Sequence, residues 1–361
     1  MKLKKLKIEE KVFVFLLVLV VVLLFLNLAK AKGLLIPNSP KIEIKGNTIQ
    51  LNDLSLEQKI AQMVIVQGGL QNLDPWKSMQ IGGVHLFAME SETVYVTTIN
   101  KFQKNMKIPF FVTVDLEGCN NPFANFMESI SLSEINSLDE AFVKGANDGK
   151  ILSELGFSIN FAPVVDLQDN IWKCRSFLGD EWQISLLAEA YSRGLRDQDI
   201  LSTAKHYPGK TLVVKDPHKF LVSAEISNHD IYPFSYLFNQ TKVDLVMVSH
   251  IIANGQVNSY GIPSVASKEV INDVKDNFKG LVVSDEINML GLMDFYSSLD
   301  EMYLAVFSAG NDLILNFNED PNEIYRMIKL IAEAVRKGII PEEQIDASVR
   351  KILEVKGFKV E

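Results

Sequence analysis

Eight short apolar runs, each followed by a longer polar or amphipathic stretch, restrict the fold of this chain more than any other feature. They fall at 63–66, 83–88, 110–114, 158–165, 201–206, 245–249, 281–284 and 313–316. None shows the strict alternation of a one-faced strand, which is expected when a strand is covered on both sides. Segments with helical spacing lie between them, at 97–106, 138–155, 181–198, 230–239, 267–277, 299–309 and 321–337, and Asp53 and Ser55 stand where they would cap a first helix. Strand and helix in alternation imply a parallel sheet. Eight such units in about 310 residues predict an α/β fold of the (β/α)8 TIM-barrel type rather than an open doubly wound sheet. No GxGxxG or GxxxxGK[ST] follows a strand, so no nucleotide cofactor is expected.

Ahead of these units, Lys2, Lys4, Lys5, Lys7 and Lys11 flank an uncharged run over residues 12–29. As a helix it would extend roughly 27 Å, close to the thickness of a bilayer core. Lysines before the run favour a cytoplasmic N-terminus with the rest of the chain outside. Ala29-Lys30-Ala31 also suits signal-peptide cleavage, so residues 1–32 read as a signal anchor or a signal peptide, 33–50 as a linker and 51–361 as one catalytic domain. Both readings place that domain outside the cytoplasm. Lys plus Arg number 36 against 45 Asp plus Glu, a net charge of -9, which argues against nucleic acid as a partner. The only cysteines, Cys119 and Cys174, form no CxxC pair, and no metal site is expected.

Ionisable residues collect at the ends of the apolar runs. Asp115 and Glu117 follow the third, Asp166 the fourth, Lys205 and His206 close the fifth, His250 follows the sixth, and Asp285 and Glu286 the seventh. In a barrel these ends converge on the C-terminal rim, where catalytic groups are carried. A lone strand-end Asp serves equally well as a helix cap, but Lys and His do not. Asp166 reads as structural, His85 as a satisfied core histidine and Trp172 as a ring that stacks on a sugar or covers the rim. The densest segment is 202–220, in which Pro208-Gly209 ends a strand and Asp216 and His218 flank Pro217. That spacing lets a carboxylate hold an imidazole. Asp285, directly after LVVS, would point into the barrel mouth and, paired with an acid on the 202–220 loop, would supply the two groups that glycosidic cleavage needs.

The ordered segments KIAQMVIV, IGGVHLF, VDLEG, GFSINFAPVVDL, RSFLGDE, AKHYPGK, DPH, VMVSHI, LVVSDEINMLGL, SAGNDLIL and IDASVRKILEVKGF resemble glycoside hydrolase family 3, in its single-domain β-N-acetylglucosaminidase branch, over residues 54–358. The resemblance implies a (β/α)8 barrel and a retaining exo-β-N-acetylhexosaminidase that acts on carbohydrate. It implies Asp285 as nucleophile, His218 as acid/base oriented by Asp216, and Asp115, Arg175, Lys205 and His206 as groups that bind sugar hydroxyls. An imidazole, with an ordinary pKa near 6.5, suits a group that both gives and takes a proton.

Three departures bear on specificity. DLEGCNNPFANF lacks the second glycine and the arginines of the family pattern, with Phe123 at the arginine expected near the sugar. Lys210-Thr211 replaces His-Gly, and Pro217 replaces the serine between Asp216 and the histidine. Cys119 and Cys174 fall on neighbouring rim loops, and a disulfide between them is expected as a brace in an oxidising compartment. A glycosidase or glycoside phosphorylase for another sugar, a metal-dependent barrel using His206, His250 and Asp285, and a catalytically silent sugar-binding protein are the competing readings.

Overall fold

The computed structural model describes residues 8–31, 36–212, 215–216, 219–239 and 242–361. Every expected run contains a strand: β1 Val64–Gln67, β2 Gly83–His85, β3 Phe111–Val114, β4 Ile159–Asn160, β5 Leu201–Tyr207, β6 Leu245–Val248, β7 Leu281–Ser284 and β8 Ile314–Asn316. They pair in parallel in the order β7-β6-β5-β4-β3-β2-β1-β8. The two ends of that row meet through a parallel bridge between Val283 and Leu313, so the sheet is a nearly closed barrel. All four residues of β3, β6 and β7 are buried, which is why these runs show no alternation.

The helices, in chain order, are α1 Ile8–Ala31, α2 Leu56–Gln62, α3 Leu73–Met79, α4 Glu92–Gln103, α5 Leu138–Leu155, α6 Glu181–Arg196, α7 Asn228–Phe238, α8 Lys268–Asn277, α9 Leu290–Met293, α10 Leu299–Ala309, α11 Pro321–Arg336 and α12 Glu342–Val355. Reciprocal capping boxes, Ser55 with Gln58, Ser137 with Glu140 and Asp180 with Gln183, start α2, α5 and α6. The largest helix contact is between α5 and α6, where a Cβ on Gly145 would lie 2.1 Å from the Tyr191 carbonyl oxygen and one on Gly194 2.4 Å from that of Phe142. Only glycine permits so close an approach.

Beyond α9, α12 and the paired strands Ser223–Ile226 and Ile252–Gly255, which the sequence reading did not include, three elements depart from it for physical reasons. The α4 helix begins at Glu92 rather than residue 97. Its β-branched opening has weak intrinsic helix preference, but it buries Tyr95, Thr98, Ile99 and Phe102 against the barrel. The short α3 was not anticipated, and it is held by Trp76, fully buried, whose Nε1 donates to the Gln67 carbonyl at 3.2 Å. The fourth strand is shorter than its apolar run: Pro163 brings no N–H, and pairing resumes only as bridges from Val164 to Ser176 and Lys205. In α1 the side chains from Val12 to Leu26 are all exposed. Among the described residues no helix is long and apolar enough to cross a membrane.

Candidate active site

At the C-terminal ends of the barrel strands lies a cavity of about 520 Å³. Asp115, Arg175, Lys205, His206 and Asp285 all line it, so the structure brings together five residues drawn from four separate segments of the sequence. Asp216 is described near the loop's end, where its carboxylate lies 3.5 Å from Lys219 Nζ and its carbonyl accepts from the Lys219 and Phe220 amides. His218 lies outside the described residues.

Beneath the cavity the charges form one connected lattice. Lys205 Nζ lies 2.5 Å from Asp115 Oδ1 and also contacts Glu117. Arg175 grips Glu117 with two bonds, Nε to Oε2 at 2.5 Å and Nη2 to Oε1 at 2.7 Å, the bidentate geometry a guanidinium favours. Burial alone would raise the Glu117 carboxyl, but Arg175 and Lys205 outweigh it and hold the group near 2. Arg175 is raised despite burial, through Glu117 first and then Asp115 and Asp285. The Lys205 ammonium is thus both buried in the lattice and part of the cavity lining.

Each member has its own support. The Asn160 side chain brackets Leu116, between the two acids, accepting from its N–H at 2.9 Å and donating to its carbonyl at 3.0 Å. His85 is buried as expected, with Nδ1 3.0 Å from Thr113 Oγ1, but Nε2 lies 3.5 Å from Asp115 Oδ2, so it also steadies a cavity residue. Burial lowers its pKa to about 4, which leaves it neutral. The loop that presents Trp172 and Arg175 turns about Asp169, whose carboxylate accepts from the amides of Trp172, Cys174 and Arg175 at 2.8, 2.9 and 2.8 Å. Arg175 stacks over Trp172 at 4.6 Å. The Cys119–Cys174 disulfide is present, with Cα atoms 5.9 Å apart, and ties this loop to the one carrying Glu117.

His206 Nδ1 lies 2.9 Å from Asp166 Oδ2. Burial pushes Asp166 up to about 8 against the Arg175 charge and neighbouring amides, so this pair holds a proton at neutral pH. Asp166 thus positions His206, in line with its structural reading. Phe123 does not face the cavity: it is fully buried in an aromatic cluster with Tyr95, Phe126 and Phe157.

Asp285, 7% exposed, follows β7 directly. Its Oδ1 accepts from the Glu286 amide at 2.8 Å, and His250 Nε2 donates to the Glu286 carbonyl at 2.7 Å, so the peptide groups before and after Glu286 are both held. Glu286 also lines the cavity. Burial pushes it up to about 7, opposed by the amides of Asn288 and Phe317 and reinforced by Asp285. Sequence reasoning placed Glu117 and Glu286 at strand ends but assigned them no part, and it missed Asn160 and Asp169. Among the described residues no His, Cys, Asp and Glu cluster could hold a metal ion.

Residues 55–355 match the glycosyl hydrolase family 3 N terminal domain. Beta-hexosaminidase A of Pseudoalteromonas piscicida is 24% identical over 76% of this chain, which spans only 53% of that protein's length. Beta-hexosaminidase LpqI of Mycobacterium tuberculosis is 25% identical over 84% of this chain and 83% of its own. The crystal structure of a family 3 glycosyl hydrolase from Mycobacterium smegmatis superposes with a TM-score of 0.78 at 26% identity, covering 85% of this chain and 99% of that one. A match across nearly the whole barrel, with the cavity at its expected end, leads to one conclusion: the chain belongs to glycosyl hydrolase family 3.

Proposed function

We propose that this chain is a retaining exo-β-N-acetylhexosaminidase that removes terminal β-linked N-acetylglucosamine-type sugars. The observation that carries the reading is Asp285, a buried carboxylate clamped at the mouth of a family 3 barrel, in the cavity that Arg175, Lys205, His206 and Asp115 also line.

In the first step an Asp285 oxygen attacks the anomeric carbon while the departing glycosidic oxygen takes the proton of His218, leaving a glycosyl ester. In the second, His218 takes a proton from water, the water oxygen attacks the same carbon, and the Asp285 carboxylate is released. Asp216 orients the imidazole in both. Asp115, Arg175, Lys205 and His206 hold the hydroxyls of the ring, and the lattice under them fixes their geometry before substrate arrives. Below neutrality Glu286 stays protonated, so it adds no second anion beside the nucleophile.

The test is a panel of 4-nitrophenyl glycosides with and without inorganic phosphate. Turnover of the N-acetyl-β-glucosaminide, with β-hexosamine as the first product, is expected. Preference for another sugar overturns the substrate, a sugar 1-phosphate as main product overturns hydrolysis, and a wild-type chain inert on every glycoside overturns the enzyme.

For location, the reading is an anchored enzyme with its barrel outside the cytoplasm. Support comes from five lysines ahead of an uncharged run over residues 12–29, most of it within α1 with exposed apolar side chains. Membrane fractionation followed by protease accessibility on intact cells tests it; barrel released in soluble form would indicate cleavage instead.

A further inference from the structure

Away from the cavity, three aromatic side chains meet on the outer surface of the barrel. Trp182 stands in the first turn of α6, and Tyr232 and Tyr236 lie one turn apart on α7. Trp182 and Tyr236 are 5.7 Å apart at 76°, Trp182 and Tyr232 6.4 Å apart at 55°, and the two tyrosines 6.5 Å apart at 22°. The two tyrosine planes are therefore close to parallel, with the indole standing as a wall across them. Trp182 is 50% exposed and Tyr232 37% exposed, so packing has left much of this ring surface in water. A cluster of large rings in that state marks a contact surface rather than core.

The rim of the cluster is polar and ordered. His229 Nδ1 lies 2.7 Å from Glu181 Oε1 beside Trp182. Tyr236 Oη donates to Glu189 Oε2 at 2.5 Å, while Lys242 Nζ sits 3.6 Å over the Tyr236 ring and 3.2 Å from the same carboxylate. Tyr236 is locked by these bonds, which leaves Trp182 and Tyr232 to receive a ligand. Apolar ring faces bordered by carboxylate, imidazole and ammonium match a molecule with an apolar face and a polar edge. A β-linked pyranose is such a molecule: its axial hydrogens form the face, and its equatorial hydroxyls and amide form the edge. Glu181 and Glu189 disfavour an anionic lipid or nucleic acid at this place.

Position strengthens the assignment. The α6 helix begins directly after the loop that presents Trp172 and Arg175 to the cavity, and α7 begins directly after the strand Ser223–Ile226, which follows the 208–220 loop. Lys210 Nζ, at the start of that loop, lies 3.2 Å from Asp230 Oδ2 in the first turn of α7 and donates to the Glu225 carbonyl at 2.6 Å. The aromatic cluster thus stands on the two helices that follow the loops bordering the cavity. An enzyme that trims chain ends holds one terminal sugar in its cavity, and the remainder of a longer chain passes outside it.

We propose that Trp182, Tyr232 and Tyr236 form a second, non-catalytic saccharide-binding site, which holds a β-linked amino-sugar chain extending beyond the cavity. The ligand class rests on the reading of the cavity given above. The test uses the full-length chain with two probes, 4-nitrophenyl N-acetyl-β-glucosaminide for the cavity and the β-1,4-linked N-acetylglucosamine hexamer for the surface. Trp182→Ala and Tyr232→Ala are each expected to leave kcat/KM on the aryl glycoside within about twofold, which also reports correct folding. On an Asp285→Asn background each is expected to weaken hexamer binding about five- to tenfold, with Trp182→Phe restoring most of it. Unchanged hexamer affinity in both variants overturns the proposal. So does a change of oligomeric state on Trp182→Ala with hexamer affinity intact, which would make the patch a protein interface. Loss of hexamer binding in a chain whose wild type turns over no aryl glycoside would keep this site and remove the cavity reading.

Discussion

Two regions of the molecule, the charge lattice under the cavity and the loop segment that carries Asp216, are built on opposite principles. On the strand side Glu117 is fully buried and gripped by two cations, Lys205 is 2% exposed between two carboxylates, and Asn160, Asp169 and Asp166 hold the groups around them. On the loop side Asp216 is 27% exposed at its side chain, and its ion pair with Lys219 joins it to a side chain 68% exposed. A buried pair loses several kcal/mol when one partner is removed, whereas an exposed pair is worth about 0–1 kcal/mol. The cavity cations therefore sit where geometry is costly to disturb, and Asp216 sits where it is not. The two regions meet where the Asn170 N–H donates to the Leu212 carbonyl at 3.0 Å, and again near Gly291, where a Cβ would lie 2.6 Å from the carbonyl carbon of Phe220 at the end of the loop.

The sharpest way to break this contrast is to alter the two groups proposed to react, Asp285 and His218. Asp285→Asn is expected to lower kcat on the aryl N-acetylglucosaminide by about 10⁴-fold or more while the fold persists, since the covalent step is lost. His218→Ala is expected to cost about 10²–10⁴-fold, least for aryl leaving groups that need little protonation. Asp216→Ala is expected to cost about 0–1 kcal/mol in stability, and a loss of several kcal/mol there would erase the distinction between the two regions.

Glu117→Gln moves the other way. It leaves Arg175 and Lys205 without their shared anion, so a loss of about 3–5 kcal/mol in urea unfolding is expected, with KM raised as the two cations lining the cavity shift. The same lattice predicts acid sensitivity. Glu117 is held near 2 against an ordinary 4.5, so the stability it contributes is complete above 4.5 and drains away as pH falls towards 2. That slope should be smaller in Glu117→Gln.

Gly291→Ala tests the junction. A methyl group facing backbone cannot be relieved by a rotamer change, so a shift of the loop end and a roughly tenfold drop in kcat are expected, against about 1–3 kcal/mol in stability. The smallest effect belongs to Glu286, raised to about 7 from an ordinary 4.5. Its contribution is complete below 4.5 and is lost as pH rises through 7. Glu286→Gln should flatten the decline of stability across that interval, and an unchanged profile would place the group's titration elsewhere.

Much of this architecture was readable from short-range pattern. Each apolar run contains a barrel strand because burial on both faces leaves a direct mark on composition, and Ser55, Ser137 and Asp180 announce their helices through local hydrogen bonds. The rim acids and bases were visible for the same reason, since a polar residue directly after a buried strand marks the point where the chain leaves the core and reaches the barrel mouth. The short α3 escaped because its helix depends on Trp76 reaching Gln67, a contact no local propensity encodes. Phe123 looked like a vacancy near the sugar, yet the loop turns it into an aromatic cluster, and that turn is a property of the packing around Tyr95 and Phe157.

What the sequence by itself determined was the alternation of buried strand and amphipathic helix, the strand-end positions of Asp115, Lys205, His206 and Asp285, and the two cysteines on neighbouring loops. These are consequences of periodicity and covalent order. Tertiary structure alone decided which charges share a partner: that Glu117 is the hub for Arg175 and Lys205, that His85 leans on Asp115, and that Trp182 meets Tyr232 and Tyr236 on the outside. Coulomb energy and ring contact fall off within a few ångströms, and distances of that order between residues far apart in the chain exist only once the barrel closes.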